Sequence, residues 1–273
     1  MQKKILIVDD HDDLKTALSE VFSKSGYFVK ATESRDEAVR LDRTDDYDLV
    51  ITDLDGEKAF PKEKNNAAED SCLPETDEED FNRSHVKAFK ICAINFPRDN
   101  FDENELKNLF ETILNYKIQF VDKASKVKHI REKIEFEFPS TISLMHSILD
   151  YLMKRIEKVG MADAEDSNLF IALDEAFVNA VKHGNKFDAN KIVRVSAEVS
   201  TKEARFTVED EGEGFDINSI PDPTNPENLF KTSGRGVLII HNIMDEVKYN
   251  ERGNRLTMVK KCDNQQKSEQ EVC

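Results

Sequence analysis

The stretch DEAFVNAVKHGN, residues 174–185, decides how this chain is read. It predicts a helix in which Glu175 and Asn179 fall four residues apart on one stripe. Ala176, Phe177, Val178, Ala180 and Val181 make the surroundings apolar, and the pair His183-Gly184 stops the helix. A Glu/Asn pair at this spacing is usually a solvated helix face. Set among so many apolar side chains it can equally be a site, and the residues downstream bear on which.

KIVRVSAEVS (191–200) and ARFTVED (204–210) alternate as two antiparallel strands around a polar turn at Thr201–Glu203. The second runs into EDEGEGFD (209–216), where Gly212 and Gly214 permit close ligand approach. Asp210, at the end of an apolar strand, can accept a hydrogen bond from an exocyclic amine while the glycines make room for a flat ring. Alone, DxGxG also describes a glycine-rich hairpin turn. INSIPDPTNPENLFKT (217–232), with three prolines, reads as a loop over the site. In TSGRGVLIIHNIMD (232–245), Gly234, Arg235 and Gly236 open a helix, and helix N-termini offer free amides to phosphate. EVKYNE and NRLTMVKK close the pattern as strands joined through Arg252-Gly253. Upstream, IEFEFPS (134–140) alternates as a strand, with Ser140 or Thr141 capping the helix that ends at Gly160. Asp163 or Asp166 starts the helix of the opening stretch.

The amino-terminal half is built differently. KILIVDD (4–10), YFVKATES (27–34) and DLVITDLDG (48–56) are short apolar strands alternating with the helices DDLKTALSEVFSKSG and RDEAVRLDR. That alternation predicts an α/β doubly wound parallel sheet, with ligands outside the carboxyl ends of the strands. Asp9, Asp10 and Asp53 sit there. Three clustered carboxylates repel one another unless a cation intervenes, and an oxygen-only set suits Mg²⁺. The plainer alternative is that they cap strands and helix starts. FKICAIN (89–95) reads as the fourth strand and FVDK (120–123) as the close of the last.

Composition narrows the function classes. The chain has 273 residues, 38% hydrophobic and 34% charged, with a formal net charge of −16. Such a field repels a phosphate backbone, so nucleic acid is not an expected partner. No apolar run is long enough to span a bilayer, and the amino-terminal run is too short for a signal peptide, so a cytoplasmic protein is expected. Cys72, Cys92, Cys262 and Cys273 form no CxxC pair, which argues against a disulfide framework or zinc site. EDSCLPETDEED (69–80) holds seven acids and no base and reads as a solvated loop. The polar residues 263–273 read as a disordered tail.

The order of the carboxyl-terminal features is more telling than any one of them. An acid–amide helix, a DxGxG strand end, a proline-rich loop and a GxG helix start fall within about 65 residues. This resembles the ATP-binding fold of gyrases, histidine kinases and heat-shock chaperones, and more narrowly the anti-sigma-factor serine kinases, over residues 134–262. IVDD (7–10), ITDLDG (51–56) and FVDK resemble the receiver domain of response regulators over residues 1–125, leaving 126–133 as a linker or short final receiver helix.

The resemblance implies an α+β two-layer sandwich with a mixed or antiparallel sheet for the second domain, and ATP with Mg²⁺ as cofactors. Asn179 would hold Mg²⁺ and Glu175 would orient or deprotonate the attacking hydroxyl. Asp210 would read the adenine amine above Gly212 and Gly214, with Gly234, Arg235 and Gly236 around the phosphates. In the receiver, Asp53 would accept a phosphoryl group, Asp9 and Asp10 would hold Mg²⁺, Lys123 would contact the phosphoryl oxygens, and Phe120 would be the switch aromatic. Asn95 stands where receivers carry Ser or Thr, Ala124 follows Lys123 in place of Pro, and the Met-Pro turn after Asp55 is missing. The function implied is a receiver-controlled ATP-dependent serine/threonine kinase. Its expected partners are an upstream histidine kinase and an anti-sigma-factor antagonist, with a sigma factor and a second copy of the chain as further candidates. Competing readings are an ATP-holding binding protein without catalysis and an atypical histidine kinase. The latter lacks an acceptor hairpin, and His146 falls inside the first helix of the ATP domain.

Overall fold

Three strands of the amino-terminal half pair as the apolar runs predict. β1 (Lys4–Asp9) lies between β2 (Phe28–Thr32) and β3 (Leu49–Asp55), all parallel. The computed structural model describes residues 2–10, 12–41, 46–55, 86–96, 101–122, 131–161, 167–215 and 235–262. The acidic stretch 69–80 and the tail 263–273 lie outside these.

The fourth strand departs from the expected parallel sheet. β4 (Val86–Cys92) runs antiparallel to β3, pairing Val50 with Cys92 and Asp55 with Lys87. Its other edge is taken by β5 (Arg131–Pro139), which is parallel to it and opens the second half. β6 (Ile192–Val199), β7 (Glu203–Asp210), β8 (Glu246–Tyr249) and β9 (Arg255–Lys261) follow antiparallel. The result is one nine-stranded mixed sheet, ordered β2-β1-β3-β4-β5-β6-β7-β9-β8.

FVDK does not close a strand. Among the described residues, Lys117–Asp122 form a π-helical turn continuing α3 (Glu103–Tyr116). The reason is legible in the packing: Leu106, Leu109, Phe110, Ile113, Leu114, Lys117 and Val121 are buried at helical spacing. Meanwhile β5 covers the free edge of β4, and its alternation delivers Ile134, Phe136 and Phe138 to the core. Asp102 caps α3 by accepting from the Asn104 and Glu105 amides at 2.9 and 3.2 Å.

The main core lies on one face of the sheet. It joins α1 (Asp12–Lys24), α3, α4 (Met145–Lys158), α5 (Ser167–Val178) and α6 (Arg235–Ile243) to β1 and to β3 through β9. A smaller cluster on the opposite face includes Leu6, Val8, Val50 and Leu54 with Ala38 of α2 (Arg35–Leu41). Over β5, β6 and β7 that opposite face is charged instead, with cross-strand pairs such as Arg131–Glu198 (2.5 Å) and Arg194–Glu137 (3.5 Å). Thr141 does not cap α4 directly: its hydroxyl takes the Ser143 amide at 3.3 Å and donates to Glu103 of α3. The predicted stops Gly26 and Gly160 take φ values of 91° and 72°.

Two contacts pin the second half's helices. Phe138 of β5 stacks on Phe177 of α5 with centroids 5.5 Å apart and planes 13° from parallel. Arg155 of α4, 2% exposed, donates through Nε to Glu132 of β5 at 2.8 Å and through a second guanidinium nitrogen to the other carboxylate oxygen. Breaking such a buried pair from one side leaves an uncompensated charge and costs about 3–5 kcal/mol. Arg155→Ala is therefore expected to lower the urea unfolding free energy by that amount. Arg255→Ala, whose half-exposed pair with Glu209 is worth under about 1 kcal/mol, should barely move it.

Candidate functional site

At the amino-terminal end, Asp9 and Asp53 pair in register on the helix-covered face, both buried. Asp9 accepts the Lys15 amide at 2.8 Å, which ties the strand to the first turns of α1. The Asp10 amide donates to the Asp53 carbonyl at 3.3 Å. Asp53 Oδ2 is engaged by Lys117, itself 1% exposed, whose ammonium also lies 5.0 Å from the centroid of the Phe89 ring. Lys117 thus occupies the partnership expected of Lys123, which lies outside the described residues. The Phe120 backbone is part of the π-helical turn.

Asn95 is placed differently from expectation. Because β4 is antiparallel to β3, the residues beyond its carboxyl end return to the start of β3. The Asn95 amide donates there to the Tyr47 carbonyl at 2.8 Å. Tyr47 and Asp53 are six residues apart, about 20 Å along a strand. Asn95 is therefore not at the Asp53 end of the sheet. Nor, among the described residues, do any three His, Cys, Asp or Glu side chains gather in a group that could hold a metal ion.

The carboxyl-terminal constellation does assemble. Glu175 and Asn179 are half-buried, and the start of α6 lies directly on them. A Cβ placed on Gly236 would stand 2.5 Å from Glu175 Oε2 and 3.6 Å from Asn179 Nδ2. Asn179 opens a π-helical turn, Asn179–Gly184, that continues from α5. Such turns recur at functional sites because the extra residue re-aims the chain beyond it. Here it carries Gly184 onto the end of β7, where a Cβ would meet the Asp210 carboxylate carbon at 2.2 Å.

Asp210 is enclosed from several sides. The Gly212 amide donates to its Oδ1 at 2.7 Å, and a Cβ on Gly212 would lie 2.3 Å from the Gly184 carbonyl oxygen. Only hydrogen at 184 and 212 leaves this cradle intact. The Asp210 carbonyl accepts from Asn254 Nδ2 at 2.6 Å and its amide donates to the Asn254 carbonyl at 3.0 Å. Arg252 donates to the Gly212 carbonyl at 2.7 Å. Burial raises the Asp210 carboxyl pKa from its ordinary value, against the opposing Gly212 hydrogen bond. Gly214 is set against the Arg252 backbone. Arg235 begins α6 and is exposed, while Gly234 and the proline-rich loop lie outside the described residues.

This geometry suits an adenine nucleotide with Mg²⁺. A carboxylate in a glycine-bare cradle can take an exocyclic amine, an amide and a carboxylate under a helix start can meet Mg²⁺ and phosphate, and the helix start supplies backbone amides. Gly184, Asn185, Arg252 and Asn254 escaped the sequence reading. Gly184 was legible only as a helix stop and Arg252 only as a turn residue. Nothing in the spacing marks Asn185 or Asn254. The tempting histidines take no part: His183 is exposed on the π-helical turn, and His146 is exposed with its ring edge-on to Phe170 at 6.2 Å.

Both halves resemble known families. Residues 138–260 match the histidine kinase-like ATPase domain, and residues 5–56 match the response regulator receiver domain. The serine-protein kinase RsbW of Staphylococcus epidermidis is 29% identical over 140 residues, covering 48% of this chain and 87% of that protein. RsbW of Staphylococcus aureus strain JH9 is 30% identical over 137 residues, covering 46% and 85%. A structure of the RsbU and RsbW domains of Rv1364c from Mycobacterium tuberculosis aligns with 46% of this chain and 31% of its own, at a TM-score of 0.33 and 16% identity, too slight a likeness to argue from. The chain belongs to the histidine kinase-like ATPases in their anti-sigma-factor kinase-like branch, joined to a response regulator receiver domain. No described helix is long and apolar enough to cross a membrane.

Gly184→Ala tests the cradle. Overpacking typically costs about 1–3 kcal/mol, so ATP affinity should fall about ten- to a hundredfold while circular dichroism stays native. Fluorescence titration with a labelled nucleotide reads the change.

Proposed function

We propose that the carboxyl-terminal domain is an ATP-dependent protein serine/threonine kinase acting on an anti-sigma-factor antagonist, with the receiver segment as its input. The observation that carries this is the seating of the α6 start on Glu175 and Asn179, next to the Asp210 cradle. Kinase chemistry is largely positioning and charge stabilisation, and this arrangement supplies both.

Each residue then has a definite task. Asp210 accepts the hydrogen bond from the adenine amine. Asn179 is the ligand for Mg²⁺, which when bound neutralises phosphate charge. The amides at the start of α6, with Arg235, meet the phosphates. Glu175 takes the proton of the attacking hydroxyl, a role that nucleotide holding alone does not require. Glu175→Gln keeps the shape and a hydrogen-bonding group but no basic oxygen. Phosphoryl transfer should fall by about 10²–10⁴ while ATP affinity is retained. Loss of both together would assign Glu175 a structural role.

Input through Asp53 would use Oδ1, which accepts no hydrogen bond among the described residues, and would keep Lys117 beside the phosphoryl group. An upstream histidine kinase is the proposed phosphodonor. Incubation of the full chain with γ-labelled ATP and candidate antagonists tests the whole reading. Serine or threonine label on an antagonist supports it. Saturable nucleotide binding with no transfer to any of them would make the chain an ATP-holding protein, and acid-labile label on His146 would make it a histidine kinase.

The raised Asp210 carboxyl gives a pH dependence. Burial favours its neutral form, and the neutral form is the poorer acceptor. ATP affinity is therefore expected to weaken as pH falls from neutrality through that raised pKa. In Asp210→Asn, affinity should be low and this acid limb absent, as read by calorimetric titration across the range.

A further inference from the structure

Asn185 comes directly after Gly184 and is 0% exposed. Its Nδ2 donates to the Ile192 carbonyl at 3.0 Å, and its Oδ1 accepts the Glu211 amide at 2.8 Å. Its own amide closes the π-helical turn on the Ala180 carbonyl at 2.8 Å. Three elements meet at this one residue: the end of the turn that begins with Asn179, the first residue of β6, and the residue after Asp210. Glu211 completes the ring, because its carboxylate accepts the Ile192 amide at 3.0 Å.

We propose that Asn185 is a positioning residue for base recognition, holding the Gly184 backbone against the Asp210 carboxylate so that Asp210 presents a fixed acceptor to the purine. The inference rests on the reading of Asp210 as the adenine contact. It goes beyond it by naming what sets the position of that carboxylate.

The chemistry of the position selects an amide. One donor must face a carbonyl and one acceptor must face an N–H, about an amide's width apart. A carboxylate would offer oxygen to the Ile192 carbonyl, and a hydroxyl or methyl would reach at most one partner. The neighbours of Asn185 also matter. Asn185 follows Gly184 directly, and its partner Glu211 follows Asp210 directly.

Fixed spacing is what lets Asp210 discriminate. Adenine presents a donor at its 6-amine, whereas guanine presents a carbonyl that would face the carboxylate. Two acceptors held at one distance repel, but a carboxylate free to move aside tolerates either base. A residue that merely staples the fold would change melting temperature and leave the ratio of ATP to GTP affinity alone. A positioning residue changes the ratio.

The test is competition of ATP and GTP against a fluorescent ADP analogue, using the full chain. Wild type, Asn185→Ala, Asn185→Asp and Asp210→Asn are compared, with melting temperature recorded for each. The expected result is an adenine preference in wild type that shrinks about tenfold in Asn185→Ala, towards the Asp210→Asn value. An unchanged ratio in Asn185→Ala, whatever its melting temperature, overturns the inference and leaves Asp210 as the base contact. Absence of preference in wild type instead overturns the reading of Asp210 itself, and the inference with it. Should Asn185→Ala not fold, Asn185→Asp carries the decision by the same criterion, because it keeps an acceptor for Glu211 and loses the donor for Ile192.

Discussion

Everything at the carboxyl-terminal site depends on one contact, the backbone of Gly184 lying on the carboxylate of Asp210. It joins the end of the α5 segment to the end of β7, two pieces well separated in sequence. The π-helical turn after α5 brings the chain there, and the missing side chains at 184 and 212 let it stay. Without that contact, Glu175 and Asn179 would still share a helix face with α6, but nothing would fix where a base sits relative to its phosphates. The apolar residues of the DEAFVNAVKHGN stretch find their explanation in the same place. Phe177 stacks on Phe138 and clamps α5 to the sheet, so the polar stripe is held against a rigid layer.

The continuous sheet gives the two halves a shared mechanical element. β4 belongs by sequence to the receiver half and β5 to the ATPase half, yet they form a seven-pair parallel ladder. α3 adds side-chain links, with Glu103 bonded to Thr141 and Glu111 to Ser147 at the approach to and first turn of α4. The same helix continues into the turn that carries Lys117 to Asp53. Asp53, α3 and the start of α4 are thus linked by packed and hydrogen-bonded side chains.

Much of this was legible in the sequence because it is local. Strand alternation in KIVRVSAEVS and ARFTVED, the DxGxG end and the helix start after Gly234 each come from spacing and residue type, and their order identified the ATPase domain. What was not legible depends on pairing between distant segments. β4 runs antiparallel to β3 and takes β5 on its other edge, which places Asn95 away from Asp53, while KIQFVD continues a helix. The choice of Lys117 as the Asp53 partner comes from a buried helical stripe that a strand reading of the same residues conceals. Asn185 and Asn254 carry no local signature, since a buried amide is recognised only by the backbone groups that meet it in space.

The most direct measurement is the backbone amide resonance of each glycine during titration with ADP and Mg²⁺, a tractable set because the chain has nine glycines. The account predicts that Gly184, Gly212 and Gly236, drawn from three separate elements, shift together and saturate at one nucleotide per chain. Saturable shifts elsewhere with these three unmoved, or no saturable shifts at all, would contradict it.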